Sequence, residues 1–186
     1  MNFHILLYDI ANIVILCSLP SYNYLLFKRA KTIVEISLGK DHVNVAGAIS
    51  NIAYLLEKMG RRDEAIEKMK EVIAIDENAN GLDHPDTANS YNILGVILNE
   101  NGDNEAALEE YRKALVIREK VFGKESTLTA VSYHNIGTVL YDLERYKEAL
   151  VELNRAVEIY KNSVGVDHPE CQTTLQFVDM AKKKIV

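Results

Sequence analysis

The stretch GLDHPDTANSY, residues 81–91, reads as a turn feeding a helix, and near-copies of it stand elsewhere: GKDHVNVAGAI from residue 39, GKESTLTAVSY from 123 and GVDHPECQTTL from 165. Their glycines, Gly39, Gly81, Gly123 and Gly165, are each 42 residues apart. Glycine closes a helix in the left-handed conformation without a Cβ penalty. Pro85 and Pro169 then suit the first turn of the next helix, where a missing N–H costs nothing, and Asp86 and Glu170 suit the positive end of its dipole. In the third copy Ser126 and Thr127 offer capping hydroxyls, while the first, with Val43 and Asn44, has the least regular start. Such a stretch is a joint between structural units rather than an active site.

Sliding the chain by 42 aligns much more than the joints. Ala65, Ala107 and Ala149 coincide, as do Ile33, Ile75, Ile117 and Ile159, and the larger residues Phe27, Met69, Tyr111 and Leu153. Ala11, Ala53, Gly95 and Gly137 form a column of small residues, and Ala30, Val72, Ala114 and Ala156 another. A shared period with shared chemistry is a structural repeat. Within each period the apolar residues run twice at helical spacing, first Ile52, Leu55 and Leu56, then Ala65, Ile66, Met69, Val72 and Ile73. The polar stretches between, such as KMGRRDEA at 58–65 and ENGDNEA at 100–106, are short enough to require antiparallel neighbours. A helix pair cannot cover its own apolar stripes, so pairs must stack, and the fold expected is an all-α solenoid. The boundaries are a degenerate first repeat at about 5–38, full repeats at 39–80, 81–122 and 123–164, and a capping helix at about 170–185, in one domain over 1–186.

The rest of the composition narrows the function. Of 186 residues 48% are hydrophobic and 26% charged, enough apolar material for a folded chain. The net charge of −6 argues against nucleic acid as a partner, since that surface needs clustered Lys and Arg. Cys17 and Cys171 form no CxxC pair, which fits a reducing compartment and a cytoplasmic location. The apolar start NFHILLYDIANIVILCSL lacks the basic flank of a secretory signal, the first Lys or Arg being Lys28, and Asp9, Asn12 and Pro20 break it as a membrane span. It is expected to be a buried helix of the degenerate repeat, with a targeting segment as the alternative; for the whole chain the alternative to binding a partner is a self-associating repeat segment, with residues 5–19 as interface, or a fragment of a larger multidomain protein.

Small residues in the first helix, Ala opening the second and Tyr-Arg-Lys-Ala-Leu at 111–115 resemble the tetratricopeptide repeat. The 42-residue spacing, with SYNILGVILNENGDNEAALEEYRKALVIREKVFG and SYHNIGTVLYDLERYKEALVELNRAVEIYKNSVG, is similar to the repeats of kinesin light chain and nephrocystin-3-type proteins. The long heptad region of kinesin light chains is not in this sequence. The resemblance implies a right-handed superhelix, a non-enzymatic scaffold or adaptor, and a peptide bound in a concave groove lined by first helices. Carried over residue by residue, the groove positions are Ser50, Tyr54 and Glu57, then Asn89, Asn92, Val96 and Asn99, then His134, Thr138 and Tyr141. Asparagine amides can pair with an extended peptide backbone whatever its side chains, and tyrosine rings give broad rigid contact. The Lys/Arg clamp of chaperone-docking repeats is absent, its positions being held by Ser50, Asn92, Val96 and His134. With Glu57, Glu100 and Asp142 set against Lys58, the preferred ligand is a neutral or basic peptide.

No constellation for catalysis, metal or cofactor emerges. His42, His84 and His168 recur, but successive turns stand about 10 Å apart, too far to share an ion at the roughly 2 Å ligand distance of zinc. Cys171 near a helix start reads as a packed thiol, with no placed base beside it.

Overall fold

The computed structural model describes residues 20–185, which form eight α-helices and, among those residues, no strand. They are α1 (Pro20–Leu38), α2 (Val43–Lys58), α3 (Arg62–Asn80), α4 (Pro85–Asn101), α5 (Asn104–Phe122), α6 (Thr127–Asp142), α7 (Tyr146–Ser163) and α8 (Pro169–Ile185). The alternation of first and second helices matches the expected all-α, solenoid-type pairs. The chain divides into two compact units, Met1–Ala79 and Asn80–Val186.

In the first unit α1 packs on α2. Helix α2 buries Val45, Ile49, Ile52, Ala53 and Leu56, and α3 buries Ala65, Met69, Val72 and Ile73, each a stripe at steps of three and four. No residue of helix α1 is fully buried, although Phe27 and Val34 are half-buried. Ile33 is 64% exposed, whereas its column mates Ile75, Ile117 and Ile159 are between 2% and 7% exposed. The helix expected to precede α1 in its repeat falls on residues 5–19, outside the described residues. So do the alternatives of a targeting segment and of self-association there.

In the second unit each helix packs on the next from α4 to α8, and α6 also touches α8. Close approach within a pair depends on the small column: a Cβ on Gly95 would come within 2.7 Å of the Tyr111 ring, and one on Gly137 within 2.5 Å of Leu153 Cγ. Across the same pairs Lys113 stands over Tyr91 at 5.1 Å and Arg155 over Tyr133 at 5.2 Å, one cation–π contact repeated 42 residues on.

Three turns within pairs share one hydrogen-bond pattern. The N–H groups of Gly60 and Arg61 donate to Glu57 and Leu56, those of Gly102 and Asp103 to Asn99 and Leu98, and those of Glu144 and Arg145 to Tyr141 and Leu140. The third copy thus places Glu144, at φ 60°, where the others have glycine. The joints between pairs are tied by threonine: Thr87 Oγ1 donates to the Gly81 carbonyl at 2.9 Å and Thr129 Oγ1 to the Gly123 carbonyl at 2.8 Å. Cys171 takes that column in the last joint and is fully buried. The recurrent histidines have a local role. His42 Nδ1 accepts from Asn44 N–H at 3.1 Å and His84 Nδ1 from Asp86 N–H at 3.2 Å, so each is an N-cap, as Ser126 is for Leu128. Val43 therefore starts its helix as regularly as Pro85, and Thr127 lies inside the first turn rather than capping it.

Candidate functional site

The ten expected groove residues fall on three first helices, α2, α4 and α6, and each set shares one helical face. On α2, Tyr54 is 58% exposed with Lys58 over its ring at 5.3 Å, and Glu57 pairs with Lys58 at 3.0 Å. Ser50 is half-buried one turn before Tyr54. The acidity expected on this helix is thus largely neutralised locally.

On α4 and α6 the structure brings residues together that the 42-residue alignment alone does not pair. Asn135 Nδ2 donates to Asn92 Oδ1 at 2.9 Å, and Asn99 Nδ2 donates to Asp142 Oδ2 at 3.3 Å and to Asn104 Oδ1 at 2.9 Å. These pairs, 43 residues apart, lock the two first helices edge to edge. Asn92 Oδ1 also accepts from Arg118 Nη1 at 3.3 Å, which donates further to Ser132 Oγ at 2.9 Å and to the Leu128 carbonyl at 3.3 Å. Arg118 is 6% exposed and its acceptors here are neutral, so burial lowers its pKa from the ordinary guanidinium value. Asn92 is therefore committed to internal structure through its carbonyl oxygen, while Asn89 and Val96 remain exposed. Thr138 gives its hydroxyl proton to the Asn135 carbonyl at 2.8 Å.

His134 and Tyr141 meet a different neighbour, α8. His134 Nδ1 lies 3.0 Å from Thr174 Oγ1, and that hydroxyl donates its proton to the Glu170 carbonyl at 2.6 Å. The imidazole must then donate from Nδ1, leaving Nε2 as its acceptor. Phe177 stands edge-on to both His134, at 5.7 Å between centroids, and Tyr141, at 6.2 Å, and Tyr141 meets Tyr146 at 5.3 Å. Burial lowers the His134 pKa. A pocket of about 300 Å³ opens beside it, lined by Val131, His134, Tyr160, Pro169, Glu170 and Thr173. Sequence reading missed Arg118, Tyr160, Asn135 and Phe177, although the column Asp76, Arg118, Tyr160 is polar where a second helix is otherwise apolar.

The family model of the tetratricopeptide repeat matches residues 44–119 and again 86–162, the spans that supply α2 to α7. The chain belongs to the tetratricopeptide repeat family. Solved structures share the fold at low identity. A protein of Podosopora anserina described as a kinesin light chain with nearly identical TPR-like repeats is 20% identical, with a TM-score of 0.78 over 89% of this chain and 78% of that one. BtubC (BKLC) from P. vanneervenii is 22% identical, with a TM-score of 0.74 over 94% and 73%. The apo form of RapI is 20% identical, with a TM-score of 0.76 over 89% of this chain and 44% of that chain. No curated protein matches in sequence. Tetratricopeptide repeats are in general non-enzymatic scaffolds for protein interaction. Among the described residues no helix is long and apolar enough to cross a membrane, and no three of His, Cys, Asp and Glu gather as metal ligands.

Proposed function

We propose that this chain is a non-enzymatic cytoplasmic adaptor that holds an extended peptide against the first helices of its repeats. The observation that carries this is the locked face of α4 and α6. Asn92–Asn135 and Asn99–Asp142 fix the two helices side by side, while Asn89, Val96, Thr138 and Tyr141 keep exposed or half-exposed polar, aliphatic and aromatic surface upon them. A rigid face of this kind offers backbone hydrogen bonding without an ordering cost on the protein side. Glu100 and Asp142 are exposed along it, and none of the candidate residues is Lys or Arg, so a neutral or basic segment is favoured over an acidic one.

A peptide array on the full chain tests this. Neutral and basic sequences should bind best, more weakly as salt is raised. Asn89→Ala should lower affinity by about 1 kcal/mol, and it is a cleaner probe than Asn92, whose loss would also disturb Asn135 and Arg118. Acidic sequences binding best, with Asn89→Ala silent, would overturn the reading. Self-association is a second reading, favoured by Leu25, Ile33 and Ile36 on α1, which are 58%, 64% and 81% exposed. Sedimentation across a hundredfold range of concentration separates the two.

A further inference from the structure

We infer that the pocket between α6, α7 and α8 is the specificity site for the peptide, taking one large apolar side chain whose neighbour in the peptide is cationic. This rests on the reading of the chain as a peptide-binding scaffold and adds which residues of the ligand are selected. At the preceding joint the corresponding space is occupied from within: Arg118 Nη1 reaches Asn92, Ser132 and the Leu128 carbonyl. Forty-two residues later the three positions are His134, Tyr160 and Thr174, and the filling is gone. His134 pairs directly with Thr174, and Tyr160, only 3% exposed, forms a wall rather than a bridge.

The opening of about 300 Å³ is bounded by Val131, the Tyr160 and His134 rings and Pro169, which recognise apolar surface and offer few polar partners. That volume is at the low end of ligand pockets, about 300–1,000 Å³, and suits a side chain rather than a free cofactor. Charge decides the neighbouring residue. Glu170, 55% exposed at its side chain, is the sole carboxylate of the lining, and no Lys or Arg lines it. Its Oε2 pairs with the His168 imidazole, which leaves Oε1 for a ligand cation. An acidic neighbour would meet Glu170 as a like charge.

The probes are fluorescent twelve-residue peptides in one Ser/Gly/Asn host, carrying Phe-Ser-Lys, Ala-Ser-Lys or Phe-Ser-Glu at the centre, titrated onto the full chain by fluorescence polarisation. The Phe-Ser-Lys peptide should bind about tenfold or more tightly than either of the others. Thr173→Trp, an exposed position on the rim, should fill the pocket and bring the three affinities together, with unchanged circular dichroism confirming the fold. Glu170→Gln should remove the preference for Lys over Glu while keeping that for Phe over Ala. Equal binding of the Phe and Ala peptides, or a Phe preference that survives Thr173→Trp, would overturn the pocket while leaving the scaffold reading in place. Failure of all three peptides to bind at millimolar concentration would overturn both.

Discussion

At the joint of α4 with α6, a buried arginine is shared among an asparagine, a serine and a carbonyl; at the joint of α6 with α8, a tyrosine, a histidine and a threonine occupy the same columns. The helix packing around the two is alike, with fully buried Thr129 and Cys171 at equivalent helix starts and Ala130 sealed beside the first. The difference shows that the repeat fixes the apolar columns but leaves the polar position at the joint free to change, provided that the neighbours change with it. A buried guanidinium needs acceptors on both flanking helices, which Asn92 and Ser132 supply. His134 in place of Asn92 directs its Nδ1–H to Thr174 instead, and Tyr160 stands where the guanidinium was. The cation and its acceptors vary as a set, and where the set is lost the joint is left with an opening.

The largest expected effect breaks the first joint. Arg118→Ala takes the guanidinium from the Ser132 hydroxyl and the Leu128 carbonyl, leaves Asn92 Oδ1 with Asn135 alone, and opens a void, and should destabilise the chain by about 2–4 kcal/mol in urea unfolding. Tyr160→Phe at the second joint keeps the packed ring and should cost under about 1 kcal/mol. Equal losses at the two positions would mean that Arg118 contributes only as packed hydrocarbon, and the contrast between the joints would fail.

The turns within the pairs carry a milder version of the same contrast. Gly60 and Gly102 take φ of 74° and 89°, and Glu144 takes 60° with the same hydrogen bonds. A side chain in that region costs roughly 1 kcal/mol relative to glycine. Glu144→Gly should therefore raise stability by about 1 kcal/mol, against a small loss from the freer unfolded chain. A fall in the thermal midpoint would show that Glu144 is held by contacts worth more than its backbone strain.

What the sequence made legible follows from which interactions are periodic. Gly39, Gly81, Gly123 and Gly165 all take positive φ, because reversal after a second helix is the same geometric problem each time. The pairing of Gly95 with Tyr111 and of Gly137 with Leu153 likewise follows from a small column facing a large one. The histidine caps were hidden by their resemblance to a metal motif, and only the backbone N–H two residues on reveals the use of Nδ1. The groove residues were legible as a face but not as partners. Asn92 meets Asn135 rather than its column mate His134, because adjacent first helices are offset by one residue beyond the repeat, a shift invisible in a 42-residue alignment. Ile33 shares the column of Ile75, Ile117 and Ile159 but stays 64% exposed on α1, the one described helix with no fully buried residue.

The smallest expected effect concerns protonation at the second joint. Burial holds the His134 pKa below the ordinary 6.5, so the unfolded chain takes up this proton first as the pH falls. The neutral imidazole's contribution is complete above about 6.5 and is lost as the pH drops from there towards the folded value. Asn92, in the same column of the first joint, does not titrate and adds no such slope. The groups facing His134 from α8 are Thr174, Phe177 and, across the pocket, Glu170, and the cost of desolvating the imidazolium sets the direction of the shift. His134→Gln keeps an N–H for Thr174 Oγ1 without a titrating proton. Between pH 7 and pH 5 the thermal midpoint of the natural chain should fall further than that of His134→Gln, and identical slopes would place the acid sensitivity of the second unit elsewhere.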